Sequence, residues 1–220
     1  MNFNRIYEYR FRSTSAVKKE IFWDVLSHHL FYRYLGSPKK ILDPAGGKCE
    51  FINSVPSKEK WAIDLEESFI LKFANSNVKT IIGSNLEVEI PENYFDGIFI
   101  SNFLEHLKSQ EEVSLFLTKM NKAMTKNGKI VVMGPNFKYS YKNYFDFADH
   151  SVILTELGLA EHLYGAGFEI EKVIPRFLPL SFRSNRLIPI NKFIITFYLY
   201  FPFSWRFFGQ QFLVVGQKKI

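Results

Sequence analysis

Residues 39–64 read KKILDPAGGKCEFINSVPSKEKWAID: two short apolar runs, each closed by an aspartate, on either side of a stretch of small residues. Asp43 ends the first run, and Asp64 ends the second 21 residues later. Short runs that are apolar throughout suit strands buried on both faces of a parallel sheet. Between them, Pro44-Ala45-Gly46-Gly47 lets backbone approach a ligand closely. In an open α/β sheet, ligands bind at the carboxyl ends of the strands, where the strand order reverses. An acid about 20 residues past the loop can accept hydrogen bonds from two ribose hydroxyls. The stretch therefore points to a cofactor that carries a nucleoside.

Outward from this core the alternation continues. Further strands are expected in VKTII ending at Ile82, FDGIFIS ending at Ser101, KIVVMG ending at Gly134, FEIEKVIP after Gly167, and the terminal QFLVVGQ. Helices are expected from Ser15 to about Leu35, from Glu66 to Ala74, after Ser109, and from about Thr155 to Tyr164. Ser109 and Glu112 form a capping-box pattern ahead of Val113, Phe116, Leu117 and Met120, and Lys126-Asn127-Gly128 is a turn signal. Strand–helix alternation argues for a parallel sheet covered on both faces, a doubly wound α/β fold. The chain reads as a single domain: a helical lead-in (1–37), a cofactor-binding core (38–175), an aromatic insertion (176–209) that breaks the alternation, and a terminal strand (210–220).

Bulk properties exclude some function classes. A chain of 220 residues supports one sizeable core. A single cysteine, Cys49, rules out an intramolecular disulfide framework and fits a reducing, cytoplasmic setting. The first residues contain no apolar segment of the secretory type, and no run of about 20 apolar residues suggests a spanning helix. The net charge is +6, yet from Lys172 onward there are eight basic residues and no acidic ones. Nine of the 24 phenylalanines fall between Phe177 and Phe212. Such an end suits an anionic substrate, a membrane surface, nucleic acid, or a solvated basic rim over a packed core.

The loop decides the cofactor. DPAGGKCEF does not match G-x-G-x-x-G, so it is not built to seat a pyrophosphate at a helix N-terminus. An aspartate at the end of the strand suits an ammonium group instead. Here the sequence resembles the class I S-adenosylmethionine-dependent methyltransferases. ILDPAGGKCEF resembles their first motif, KWAID the acidic end of the second strand, NYFDGIFISNFLEHL the fourth-strand motif and NGKIVVMGPN the fifth strand. DHSVILTELGLAEHLYGAGFEIEKVIPRFLP resembles the helix and strand that follow. AGGKCEFIN, SNFLEHL and WRFFGQQF further resemble bacterial methyltransferases found with glycosyltransferases and polysaccharide assembly.

The resemblance implies a Rossmann-like seven-stranded sheet of order 3-2-1-4-5-7-6 with an antiparallel last strand. It implies S-adenosyl-L-methionine as cofactor, held by Asp43, Ala45, Gly46, Gly47, Asp64, Leu65, Ser84, Asn85, Ser101 and Asn102. The chain departs from the family at three of its positions. Ala45 replaces the usual first glycine, Cys49 stands in place of a third, and Ser84 replaces an acid that contacts the adenine amine, with Asn85 beside it. Cys49 reads as a small buried residue, not a nucleophile.

Methyl transfer from a sulfonium needs alignment above all, and a base only where the nucleophile must lose a proton, as a sugar hydroxyl does. Candidates near the ends of strands four and five are Glu105, His106, Asn136, Tyr139, Tyr141, Asp149 and His150. His106 is the expected base, Glu105 and the Asp149–His150 pair are further candidates, and no metal ligands are expected. His28, His29 and His162 read as structural. The 176–209 segment is expected to act as a lid, as a contact with a second subunit, or as an interfacial element at a membrane, its Arg176, Arg183, Arg186 and Lys192 meeting phosphate groups. The expected activity is O-methylation of a small-molecule or glycan-type acceptor. The alternatives are a non-catalytic binding protein on the same fold and, lacking an N-P-P-Y or D-P-P-Y motif, a nucleic-acid methyltransferase. A nicotinamide oxidoreductase fits least.

Overall fold

The computed structural model describes residues 16–180 and 191–219, together with 5, 6 and 9. Seven strands form one sheet: β1 (Lys40–Asp43), β2 (Glu59–Asp64), β3 (Val78–Ile82), β4 (Phe95–Ser101), β5 (Met124–Pro135), β6 (Phe168–Ile174) and β7 (Gln211–Lys218). Their order is 3-2-1-4-5-7-6. The first five run parallel, and β7 is antiparallel to both β5 and β6. This is the methyltransferase topology that the sequence implied.

Two layers of apolar side chains cover the sheet. On one face α1 (Ala16–Arg33) sets Phe22, Leu26 and Leu30 against Ile41, Phe99 and Val131, joined by Phe51 from α2 (Glu50–Ser54). The buried stripe of α1 leaves Val17 exposed, although Val17 shares its helical spacing. On the other face α4 (Gln110–Ala123) buries Val113, Phe116, Leu117 and Met120, beside Leu159 and Leu163 of α6 (Glu156–Gly165). The Ser109 hydroxyl caps α4 by accepting from the Glu112 N–H at 3.2 Å. Glu112 reaches back to the Lys108 N–H at 2.8 Å, so the box closes one residue earlier than its usual form. The remaining short helices are α3 (Glu67–Phe73) and α5 (Phe137–Ser140).

One expectation changes. Lys126-Asn127-Gly128 does not separate helix from strand but lies inside β5, as a bulge. Met124 pairs with Phe95, Lys129 pairs with Gly97, and Asn127 takes φ +64° to absorb the extra residues. The aromatic insertion contains ordered helix: α7 (Lys192–Tyr200), a 3₁₀ turn (Pro202–Ser204) and α8 (Trp205–Phe208). Asn191 caps α7 by accepting from the Ile194 N–H at 2.9 Å. Arg183 and Arg186 lie outside the described residues.

Candidate active site

The loop after β1 is fixed by its own backbone. The Gly46 N–H donates to the Ile63 carbonyl, and the Cys49 N–H to the Gly46 carbonyl. A Cβ on Gly46 would meet the Ala62 Cβ at 3.2 Å, so glycine there lets the loop lie against β2. Positive φ falls on Gly47 (+51°) and Cys49 (+59°) but not on Ala45. Ala45 therefore adopts ordinary backbone and carries no strain, whereas Cys49 occupies the position where a glycine would be relaxed.

Asp43 is buried, and its Oδ1 accepts from the Ala45 N–H at 3.2 Å. Burial pushes its carboxyl up to about 7, the Ala45 hydrogen bond opposing and the neighbouring Asp64 and Glu50 adding to it. Burial also raises Asp64, against its hydrogen bonds from Glu66 and Gly47. The Asp64 oxygens accept from the Gly47 N–H at 2.6 Å and the Glu66 N–H at 2.8 Å, so this acid clamps the loop as well as ending β2. Leu65 beside it is exposed. Burial first, then the same acids, pushes the Cys49 thiol up to about 12. It stays protonated and inert at neutral pH.

Along the same edge, Ser84 accepts weakly from the Leu86 N–H, and Gly83 ties this loop to β2 by donating to the Asp64 carbonyl. Asn85 is buried, and its Oδ1 has no hydrogen-bond partner. A buried, unpartnered acceptor is costly unless a ligand supplies a donor. The adenine amine would be such a donor, so Asn85 fits the role in which Ser84 replaces the usual acid. Ser101 and Asn102 close β4, with Asn102 at φ +48° and its side-chain amide donating to the Ser101 hydroxyl. Asp43, Gly46, Gly47, Asp64 and Asn85 thus present two carboxylates, open backbone and one orphaned acceptor along a single sheet edge, which fits a nucleoside with an ammonium group.

The second half of the site lies past β4. Glu105 is 2% exposed. Gly134 on β5 lies against it, and a Cβ there would press on the Phe212 ring at 3.2 Å while only touching the Glu105 Oε2 at 3.5 Å. The loop holding Asp149 and His150 is stitched to this point, because the Ser151 and Val152 N–H groups both donate to the Glu105 carbonyl. That stitching brings together residues more than 40 positions apart. The His106 Nδ1–H donates to the Asp149 main-chain oxygen at 3.0 Å, and the Asp149 carboxylate lies 3.5 Å from the same nitrogen. In the neutral ring this leaves the lone pair on Nε2, 4.0 Å from the Glu105 Oε1. The orienting contact seen here runs from Asp149 to His106, where the sequence suggested Asp149 to His150. His150 stacks on Phe147 (4.7 Å) and meets the His106 ring at 5.1 Å. Tyr144, not singled out by the sequence, packs against His150, and its hydroxyl donates to the Val152 carbonyl. Among the described residues, Glu105, His106 and His150 also bring one ligand atom each within 4.8 Å of one another.

Other candidates lie elsewhere in role. The Asn136 side chain is buried, its amide nitrogen donating to Glu156 and to the Pro175 carbonyl and its Oδ1 capping α5 by accepting from the Lys138 N–H at 3.3 Å, so its role is structural. Tyr139 faces the Arg176 guanidinium at 4.8 Å, and Tyr141 is exposed. His162 bridges Ser114 and Gln110, tying α6 to α4. The His28 Nδ1–H donates to the Asp24 carbonyl on its own helix at 2.7 Å.

Residues 42–132, from β1 through most of β5, match the family model described as a methyltransferase domain. No curated protein matches the sequence. Among solved structures, a SAM-dependent methyltransferase from Archaeoglobus fulgidus superposes with TM-score 0.68 at 20% identity, covering 99% of this chain and 100% of that one. A SAM-dependent methyltransferase from Thermotoga maritima, described as a possible histamine N-methyltransferase, gives 0.68 at 14%, covering 99% and 96%. The [4+2]-cyclase SpnF gives 0.61 at 12%, covering 90% and 81%. Residues 42–132 thus match a methyltransferase domain, and the fold of the whole chain is the one these SAM-dependent methyltransferases share.

Proposed function

We propose that this methyltransferase O-methylates a hydroxyl of a small-molecule or glycan-type acceptor, with His106 as the general base. The observation that carries this reading is the fixed His106 tautomer. Asp149 holds Nδ1–H, so Nε2 faces away from it with its lone pair available, beside a buried carboxylate. The hydroxyl proton passes to Nε2, and the nearby Glu105 and Asp149 carboxylates stabilise the imidazolium that results. When bound, the cofactor supplies an activated methyl on a sulfonium. Asp43 would hold its ammonium, Asp64 its ribose hydroxyls and Asn85 its adenine amine. Phe145, which packs on the Tyr144 ring that meets His150, and the exposed Tyr139 and Tyr141 further along the same loop, with Arg176 over Tyr139, offer the flat apolar and cationic surface that a sugar or nucleotide sugar needs. The buried free thiol of Cys49 fits a reducing, cytoplasmic setting.

Calorimetric titration with S-adenosylmethionine and S-adenosylhomocysteine, with NAD as control, should show saturable binding of the sulfur nucleosides alone. With an acceptor in hand, His106→Asn should lower kcat by about 10²–10⁴-fold while leaving cofactor affinity within a few-fold, and chelating agents should leave turnover unchanged. A methyl found on nitrogen, or full turnover by His106→Asn, would refute the base assignment. Loss of turnover on chelation would reassign Glu105, His106 and His150 to a metal. One observation favours a second reading, that of a binding protein: Cys49 sits at a left-handed position and Ser84 where an acid is usual. Cofactor binding without turnover on any acceptor would decide for it.

A further inference from the structure

We propose that the aromatic face of α7 and α8 docks this protein onto an anionic lipid surface. Seven aromatic side chains stand out from this short segment: Phe193 (78% exposed), Phe197, Tyr200, Phe201, Phe203, Phe207 and Phe208. Large rings exposed singly need no explanation, but a contiguous set does. Here the rings touch one another in series. Phe197 stacks on Phe201 at 5.2 Å, Phe201 meets Phe203 at 6.0 Å, and Phe203 meets Phe207 at 5.2 Å.

The scaffold behind them is fixed. Ile195, Leu199 and Trp205 are buried in the core of the sheet face covered by α1. The Trp205 indole N–H donates to the Tyr198 carbonyl, the Tyr198 hydroxyl donates to the Phe177 carbonyl, and the Gly209 N–H donates to the Trp205 carbonyl. The rings are therefore displayed by anchored helices, so little order has to be gained on docking.

Charge selects the occupant. The charge of Lys192 is offset by its pair with Asp24 at 2.8 Å, Arg206 is exposed between Phe203 and Phe207, and the chain from Lys172 onward holds no acid. An isologous dimer through this face would bring two such acid-free segments together, and like-charge juxtaposition opposes it. A bilayer of anionic lipid complements it: rings enter the headgroup boundary, where aromatic residues concentrate, while Arg and Lys meet phosphates. No helix among the described residues is long and apolar enough to cross a membrane, so the contact lies in the interface plane.

The test is co-sedimentation of the full chain with phosphatidylcholine vesicles and with phosphatidylcholine–phosphatidylglycerol vesicles. The wild type should pellet with the anionic vesicles, weakly with the neutral ones, and less as salt rises. Phe193→Ser/Phe207→Ser and Arg206→Glu should each lower partitioning about tenfold or more. An unchanged melting temperature and unchanged S-adenosylhomocysteine binding would show that both variants fold. Equal partitioning by wild type and folded variants, or no pelleting of the wild type, would overturn the proposal. Sedimentation velocity showing a wild-type dimer that the double phenylalanine variant breaks would also overturn it, assigning the face to a second copy.

Discussion

Asp43 ends β1 as a buried carboxyl held up at about 7, and that value has a consequence for the ligand. The proposed partner is an ammonium, which favours the ionised acid. Below pH 7 the free protein must release a proton from Asp43 before the pair can form. The sign follows: affinity for S-adenosylhomocysteine should weaken by up to tenfold per unit as pH falls from 7 to 5. Asp43→Asn should bind more weakly at pH 7 and show a flat profile over that window; an equally steep profile would place the titrating group elsewhere. Cys49 illustrates the opposite case. Its identity could be read as inert from the sequence, but its left-handed φ could not, since the backbone there is set by the turn into α2. Ala45 looked like the risky replacement and proves unstrained. The spacing of Asp43 and Asp64 made both acids legible. The bond from the Gly47 N–H back to Asp64 was not, because it depends on how the loop folds over β2.

At the level of elements, the amphipathic helix α1 and the capped helices α4 and α6 follow from their periodicity and their Ser109 and Thr155 caps. The 176–209 segment resisted such reading because its helix is apolar on most sides, so periodicity could not say which face is buried. Contact with α1 decides it. His29 of α1 lies between the rings of Tyr34 and Tyr200, with neither ring nitrogen hydrogen-bonded. Burial, then the charge of Arg33, lowers it to about 4. In the unfolded chain His29 protonates near its ordinary 6.5, so stability should be full above pH 6.5 and fall as pH drops toward 4. The loss should be on the order of 3 kcal/mol. Urea denaturation at pH 7.5 and pH 5 checks this, where about 2 kcal/mol of the loss should already show. His29→Phe should flatten the difference, and an unchanged difference would remove His29 as its source.

For the whole molecule, the proposed cofactor site draws on β1, β2, the loop after β3 and the end of β4, so a ligand there would bridge elements that the sheet alone joins. Saturation with S-adenosylhomocysteine at about 100 times its Kd should add about 2.7 kcal/mol, seen as a rise in melting temperature. A rise that persists in Asp64→Ala would mean that the ligand binds elsewhere. The sequence by itself determined the strand–helix alternation and the two acids at strand ends, because these rest on local apolar runs and short spacings, and from them came the expectation of a cofactor that carries a nucleoside. Glu105 and His106 were legible too, as neighbours at the end of β4. Only the tertiary structure decided that Asp149 orients His106, because that contact exists through Ser151 and Val152 donating to the Glu105 carbonyl across the fold. It alone also decided which aromatic rings of the last helices are buried and which stand in solvent, since the neighbours of a side chain depend on packing and not on sequence distance.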